Sequence, residues 1–341
     1  MPARLRNQYV KASQKLQRLL AQSRLEASRS AITDEAIASL RSEGVFVSTV
    51  ERLLGAAAPA YREAMAEAVA LLQGPQQGAG VTWLARGASS DLAPGDLLAH
   101  VPALFLFGLN ATMLSVAEQY LRLPVAYHGA VLRRSLVDGN EVGPRLWHRD
   151  WEDYHVLRSV VYLNDVDEDG GPFEYVPRSL ATADAKAASS AGRRSDAEMA
   201  ALIPRERWKR CVGPAGTVVL ADSAQVFHHE SLQRSRERAV VMMGHASRLP
   251  MNRGLAESHF PVHQHLPALA RITRPEHHAH VFGWRDLATP VPSGPSGTPR
   301  PETPSSADRR PQGDAAAPAR LDSYRHIAAA AATLSDSSPP G

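Results

Sequence analysis

The sequence predicts an α+β protein: helices dominate the first third, and an antiparallel β sandwich or barrel follows. Two observations carry this. Apolar residues recur at helical spacing over 7–72 and again over 102–121. From Val125 onward the chain offers short apolar or alternating runs rich in valine and aromatics, divided by turn clusters rather than helices, which disfavours a parallel α/β sheet.

In order along the chain, ITDEAIASLRSEG places Ile32, Ile37 and Leu40 on one helical face, with Thr33 or Asp34 as cap and Gly44 as terminator. VFVSTV, residues 45–50, reads as a short strand. A second helix runs through NATMLSVAEQYL, capped by Asn110 or Thr112. Strands are expected at 125–136, 157–163, 173–176, 217–220 and 239–244, separated by DGNEVGP, DVDEDGGP and GPAG. The expected organisation is a helical region at 1–75, a β core at 76–250, an extension of that core at 251–288 and a tail at 289–341.

Composition excludes several classes. A chain of 341 residues can bury a core without covalent staples, and its single cysteine, Cys211, cannot form an internal bridge. No apolar run approaches the roughly 18 residues of a membrane span, and residues 1–25 lack the apolar stretch of a secretory signal, so a cytoplasmic, reducing setting is expected. Lys and Arg number 38 against 35 Asp and Glu, a balance that does not call for nucleic acid. Neither a glycine-rich phosphate loop nor an internal repeat is visible. After Thr289 lie 10 of the 25 prolines and one aromatic, Tyr324, too little apolar surface to offset the entropy of ordering. Within that tail LDSYRHIAAAAATL, 321–334, could form a transient helix.

The chemistry concentrates in two segments. PRLWHRDWED contains His148 and Asp150, which on extended backbone point to one face and can grip one ion from one side. LADSAQVFHHE offers His228 and His229 at the end of an apolar strand, and one of them can complete the set. Two histidines and a carboxylate on one face suit iron(II), because the remaining positions stay open for cosubstrate and dioxygen. Neighbours on a strand face opposite ways, so only one of the two histidines can point inward. A lone His-x-Asp triplet is weak; its setting of strand, Gly-Gly-Pro turn, strand, His and Arg carries the weight.

The run WHRDWEDYHVLRSVVYLNDVDEDGGPFEYVPRSL, followed by GPAGTVVLADSAQVFHHESLQRSRERAVVM, resembles the phytanoyl-CoA dioxygenase-like family of iron(II) and 2-oxoglutarate-dependent oxygenases, over about residues 32–247. The resemblance implies a double-stranded β-helix, a cupin-like jelly roll with helices outside. It implies His148, Asp150 and His228 as catalytic metal ligands, His228 being preferred over His229, and Arg238 as the residue binding the far carboxylate of 2-oxoglutarate. Arg238 opens the apolar run AVVMM, where a guanidinium needs a partner; an internal salt bridge is the alternative to the cosubstrate. The implied cofactors are Fe(2+), 2-oxoglutarate and O2, and the implied reaction releases succinate and carbon dioxide while hydroxylating a small-molecule substrate. Asp150 argues against halogenation, whereas desaturation and ring formation stay open. The chain departs from the family at Arg178 and Leu180, where Gly and His are frequent, and at His229.

Other residues have plainer readings. Trp147, Trp151 and Tyr154 are expected in the core, His155 at the surface or behind the ligands, and His277, His278 and His280 in a solvated turn. Arg193, Arg194, Arg205, Arg207, Lys209 and Arg210 in the polar loop 181–210 read as a solvated face before an acidic-substrate site. A non-catalytic jelly-roll binding protein and a zinc hydrolase using the same three ligands are the competing classes. Substrate identity and oligomeric state are not legible.

Overall fold

The computed structural model describes residues 8–17, 30–73, 80–181 and 192–285. The expected tail, its Ala-rich helix and residues 182–191 of the polar loop lie outside these residues.

The first expected helix spans Ala31–Ser42, and its cap is Ser30, not Thr33 or Asp34: the Ser30 side chain accepts from the Thr33 amide, and Thr33 itself is buried. Gly44 follows at φ +82°, as a left-handed terminator requires. The helical pattern at 102–121 is two helices, Pro102–Leu106 and Ala111–Leu121, with a 3-10 turn at Phe107–Leu109 between them. Asn110 makes the break by adopting extended backbone and capping the second helix at the Thr112 amide, 2.9 Å away. Gly108 is obligatory in this turn, since a Cβ there would lie 2.3 Å from the Tyr127 ring.

Among the described residues the strands are β1 (Val45–Thr49), β2 (Trp83–Ala85), β3 (Ser89–Leu92), β4 (Val125–Ser135), β5 (Leu157–Tyr162), β6 (Phe173–Tyr175), β7 (Lys209–Cys211), β8 (Thr217–Asp222), β9 (His228–Glu230) and β10 (Arg238–Ser247). They form an antiparallel sheet ordered β1-β8-β5-β10-β4-β3-β2 and a smaller one ordered β7-β6-β9. From β4 onward the chain shuttles between the two sheets, with His148 reaching the smaller one through an isolated bridge to His228 of β9. This is the jelly roll of a double-stranded β-helix, in an α+β protein. β2, β3, β7 and β9 escape sequence reading because three or four residues are too short to display a period; β6, equally short, is legible from its apolar run after the Gly-Gly-Pro turn.

Alternation divides the large sheet into two faces. Leu132, Leu157, Val161, Leu220, Val241 and Met243 pack outward with Leu40, Tyr61 and Val116 of the helices. Val160, Tyr162, Val219 and Val240 face inward against Phe173 and Tyr175 of the small sheet. Residues 253–285 fold back on β4, where Phe260 packs on Phe105 and Arg285 donates to the carbonyls of Tyr127 and His128. Among the described residues no helix is long and apolar enough to cross a membrane.

Candidate metal centre

His148, Asp150 and His228 converge: their ligand atoms all lie within 4.8 Å of one another, and His148 Nε2 is 3.8 Å from Asp150 Oδ1. The backbone brings them together differently from the extended strand the sequence suggested. His148 forms a two-bond bridge with His228, each amide 3.0 Å from the other's carbonyl, and Asp150 follows on loop backbone anchored by its own amide to the Ser223 carbonyl. His228 begins β9, after a turn at 223–226, instead of ending the strand before it.

The register of β9 separates the two adjacent histidines. His228 and Glu230 oppose Tyr175 and Phe173, whose side chains belong to the interior, whereas His229 opposes Glu174 on the other face. There His229 Nδ1 faces the Arg145 carbonyl at 3.0 Å, its Nε2 faces Glu174 Oε2 at 2.9 Å, and its ring stacks on Trp147 at 4.0 Å. Both of its nitrogens are engaged away from the His148, Asp150 and His228 group.

The three converging groups are prepared as ligands. His148 Nδ1 lies 2.8 Å from the Leu146 carbonyl and His228 Nδ1 lies 3.3 Å from that of Val226, so each Nδ1–H is spent on a carbonyl and each Nε2 is left as the free lone pair. Burial, then the neighbouring His228, holds His148 well below the ordinary imidazole range; burial likewise lowers His228. Asp150 is partly buried, which alone would raise it, but Arg158 and the two imidazoles overturn that and keep it well below the usual carboxylate range. Arg158 Nη2 is 2.9 Å from Asp150 Oδ2, leaving Oδ1 toward the histidines. Neutral nitrogens and an ionised oxygen on one side fit a divalent cation.

Arg238 also faces the interior, beside Val240, but its guanidinium is already partnered: it pairs with Glu230 Oε2 and donates to the Gly171 carbonyl at 2.8 Å. Glu230 Oε1 further accepts from Gln233 at 2.5 Å and stands 3.9 Å from Arg145 Nε.

Of the other residues singled out, Trp147 is buried as expected, but Trp151 is 48% exposed because the loop at 149–154 turns it outward. His155 pairs with the buried Asp222 at 2.7 Å. His280 Nδ1 engages the Val125 carbonyl at 3.0 Å. In the polar loop Arg205, Lys209 and Arg210 each pair with a carboxylate, and Arg193 caps the Gly143 carbonyl at 2.6 Å. Cys211 is buried, its thiol pushed up to about 12.

Sequence reasoning missed Arg158, Glu152 and Glu230. The alternation Arg158, Val160, Tyr162 on β5 and the spacing His148, Asp150, Glu152 were the available signals.

No family model and no curated protein matches the chain. Among solved structures it is similar to EctD from S. alaskensis with bound Fe, at 19% identity over 65% of this chain and 78% of that one, with a TM-score of 0.46. It is also similar to SnoN, a non-heme alpha-ketoglutarate-dependent epimerase from nogalamycin biosynthesis (15% identity, 64% and 84% of the two chains, TM-score 0.43). HygX from Streptomyces hygroscopicus, with nickel and 2-oxoglutarate bound, shares 13% identity over 62% and 86% at a TM-score of 0.43. These likenesses are weak, and what the site can do follows from its own residues.

Proposed function

We propose that the protein is an iron(II)- and 2-oxoglutarate-dependent oxygenase of the phytanoyl-CoA dioxygenase-like type that hydroxylates a small-molecule substrate. The observation that carries this reading is the one-sided convergence of His148 Nε2, Asp150 Oδ1 and His228 at the mouth of a jelly roll, with every competing atom of the three groups tied off. Three donors on one side leave room for a chelating cosubstrate and a gas molecule, which a closed four-ligand site would not. When bound, iron(II) supplies dioxygen activation coupled to decarboxylation of 2-oxoglutarate to succinate.

The residues of the chain supply orientation and charge. The Leu146 and Val226 carbonyls fix the tautomer of the two imidazoles, and Arg158 fixes the rotation of the Asp150 carboxylate. Arg238 is the proposed partner of the far 2-oxoglutarate carboxylate. Glu230, beside Arg238, lies two residues from His228 on the same face of β9, about 6.6 Å along the strand. Glu230 holds Arg238 in the place of the cosubstrate carboxylate, so binding exchanges one carboxylate for another.

The test is anaerobic titration of the metal-free protein with iron(II) and 2-oxoglutarate, followed by a screen of metabolite pools for succinate release in air. A cosubstrate-dependent absorption change and substrate-stimulated succinate support the reading. Tight zinc binding with hydrolysis and no succinate would replace it with a hydrolase.

A further inference from the structure

A second convergence of ligand groups lies behind the first. His128 of β4, Glu152 and His259 place their ligand atoms within 4.8 Å of one another. His128 is completely buried, and neither of its ring nitrogens has a hydrogen-bond partner. Glu152 is 2% exposed; its Oε1 takes Arg158 at 2.6 Å and His259 at 2.5 Å, while its Oε2 is buried with no partner. Buried polar atoms of native proteins are nearly always partnered, so three unpaired ones facing a common centre call for a ligand there.

The backbone is shaped around this spot. The pairing of β4 with β10 slips between Met243 and His245, so that His128 and Gly129 together oppose Gly244. Gly129 takes φ +107°, and a Cβ on it would strike Phe260 at 2.5 Å, which seats the residue next to His259 directly on the bulge. A Cβ at Gly244 would lie 3.2 Å from His128 Nδ1 and 2.8 Å from Arg158 Nη1, so this glycine keeps the space open. The rings of His128 and His259 lie parallel within 4°, their centroids 5.8 Å apart, and His259 is 31% exposed, which gives an ion a way in.

We propose that His128, Glu152 and His259 form a second divalent-cation site, suited to a borderline ion such as zinc or cobalt(II), and set apart from the first by the guanidinium of Arg158. The donor set of two imidazoles and a carboxylate matches such ions. Glu152 Oε1 already accepts from His259 Nε2 and Arg158, so an ion must displace a resident hydrogen bond here, which makes the second ion bind more weakly than the first.

Equilibrium dialysis of the metal-free full-length chain against rising free zinc, with bound zinc counted per chain, tests this. Wild type should fill in two steps to two ions, His148→Ala/His228→Ala should keep only the weaker step, and His259→Gln only the tighter one. Glu152→Gln should match His259→Gln. Zinc in the range of the weaker step should raise the melting temperature of wild type and leave that of His259→Gln unmoved. Saturation of wild type at one ion overturns the proposal. So does a second ion that persists in His259→Gln, which would place it elsewhere, for instance on His277 and His278. Loss of only the tighter step in His148→Ala/His228→Ala leaves the second site standing whatever the first ion does in catalysis.

Discussion

Arg158 holds the outer oxygen of Asp150, Nη2 to Oδ2 at 2.9 Å and Nε to Oδ2 at 3.2 Å, and thereby decides which oxygen meets the ion. Partners behind a ligand typically govern ten- to a hundredfold of metal affinity. Arg158→Leu should therefore weaken anaerobic iron(II) binding by about that factor, and Arg158→Lys by less, because a lysine keeps the charge but not the fork. Unchanged affinity in Arg158→Leu would remove the arginine from this role.

Adjacent histidines should separate cleanly in function. His228→Ala and Asp150→Ala should abolish iron-dependent succinate formation while the protein stays folded by circular dichroism. His229→Ala should retain iron binding yet lose about 1–3 kcal/mol in urea unfolding, since the Arg145 carbonyl loses its buried imidazole while Glu174 Oε2 keeps only Ser231 Oγ. An inactive His229→Ala beside an active His228→Ala would invert the register of β9.

The pair Arg238 and Glu230 predicts opposite effects from its two members. Arg238→Ala should raise the 2-oxoglutarate concentration for half-maximal succinate formation at least about tenfold, as befits a lost charged hydrogen bond. Glu230→Gln removes the resident competitor and should lower that concentration. If neither moves it, the cosubstrate carboxylate binds elsewhere.

His245 should make the fold acid-sensitive. Burial holds this imidazole down at about 4 against an ordinary 6.5, with Nε2 bonded to the Gly108 carbonyl at 2.8 Å. The unfolded chain therefore binds the proton first, so stability falls as pH drops from about 6.5 towards 4. For one group this amounts to about 3 kcal/mol. Urea unfolding at pH 7 and at pH 4.5 measures it, and His245→Gln should flatten the difference; an equal slope in the variant would assign the acid sensitivity to other groups.

These residues also mark how far the sequence could be read. His148 and Asp150 were legible because they sit two apart beside recognisable strands, and the jelly roll was legible from the runs that became β4, β5, β8 and β10. The choice between His228 and His229 depended on the register of a three-residue strand, which no periodicity can reveal. Glu230 as the partner of Arg238 required knowing that β9 and β10 turn the same way inward. The His128, Glu152 and His259 group was invisible because its members come from three distant segments joined by a bulge at Gly129, and single-chain patterns carry no information about which bulge meets which loop.

The reciprocal amide bonds between His148 and His228 have a consequence for loading. The bite of the two imidazoles is set by one rung of peptide ladder rather than by the ion, so the empty and the filled protein should share a backbone. A chelator should then strip the first ion without melting the barrel, unlike a zinc finger, and reloading should proceed without a refolding step.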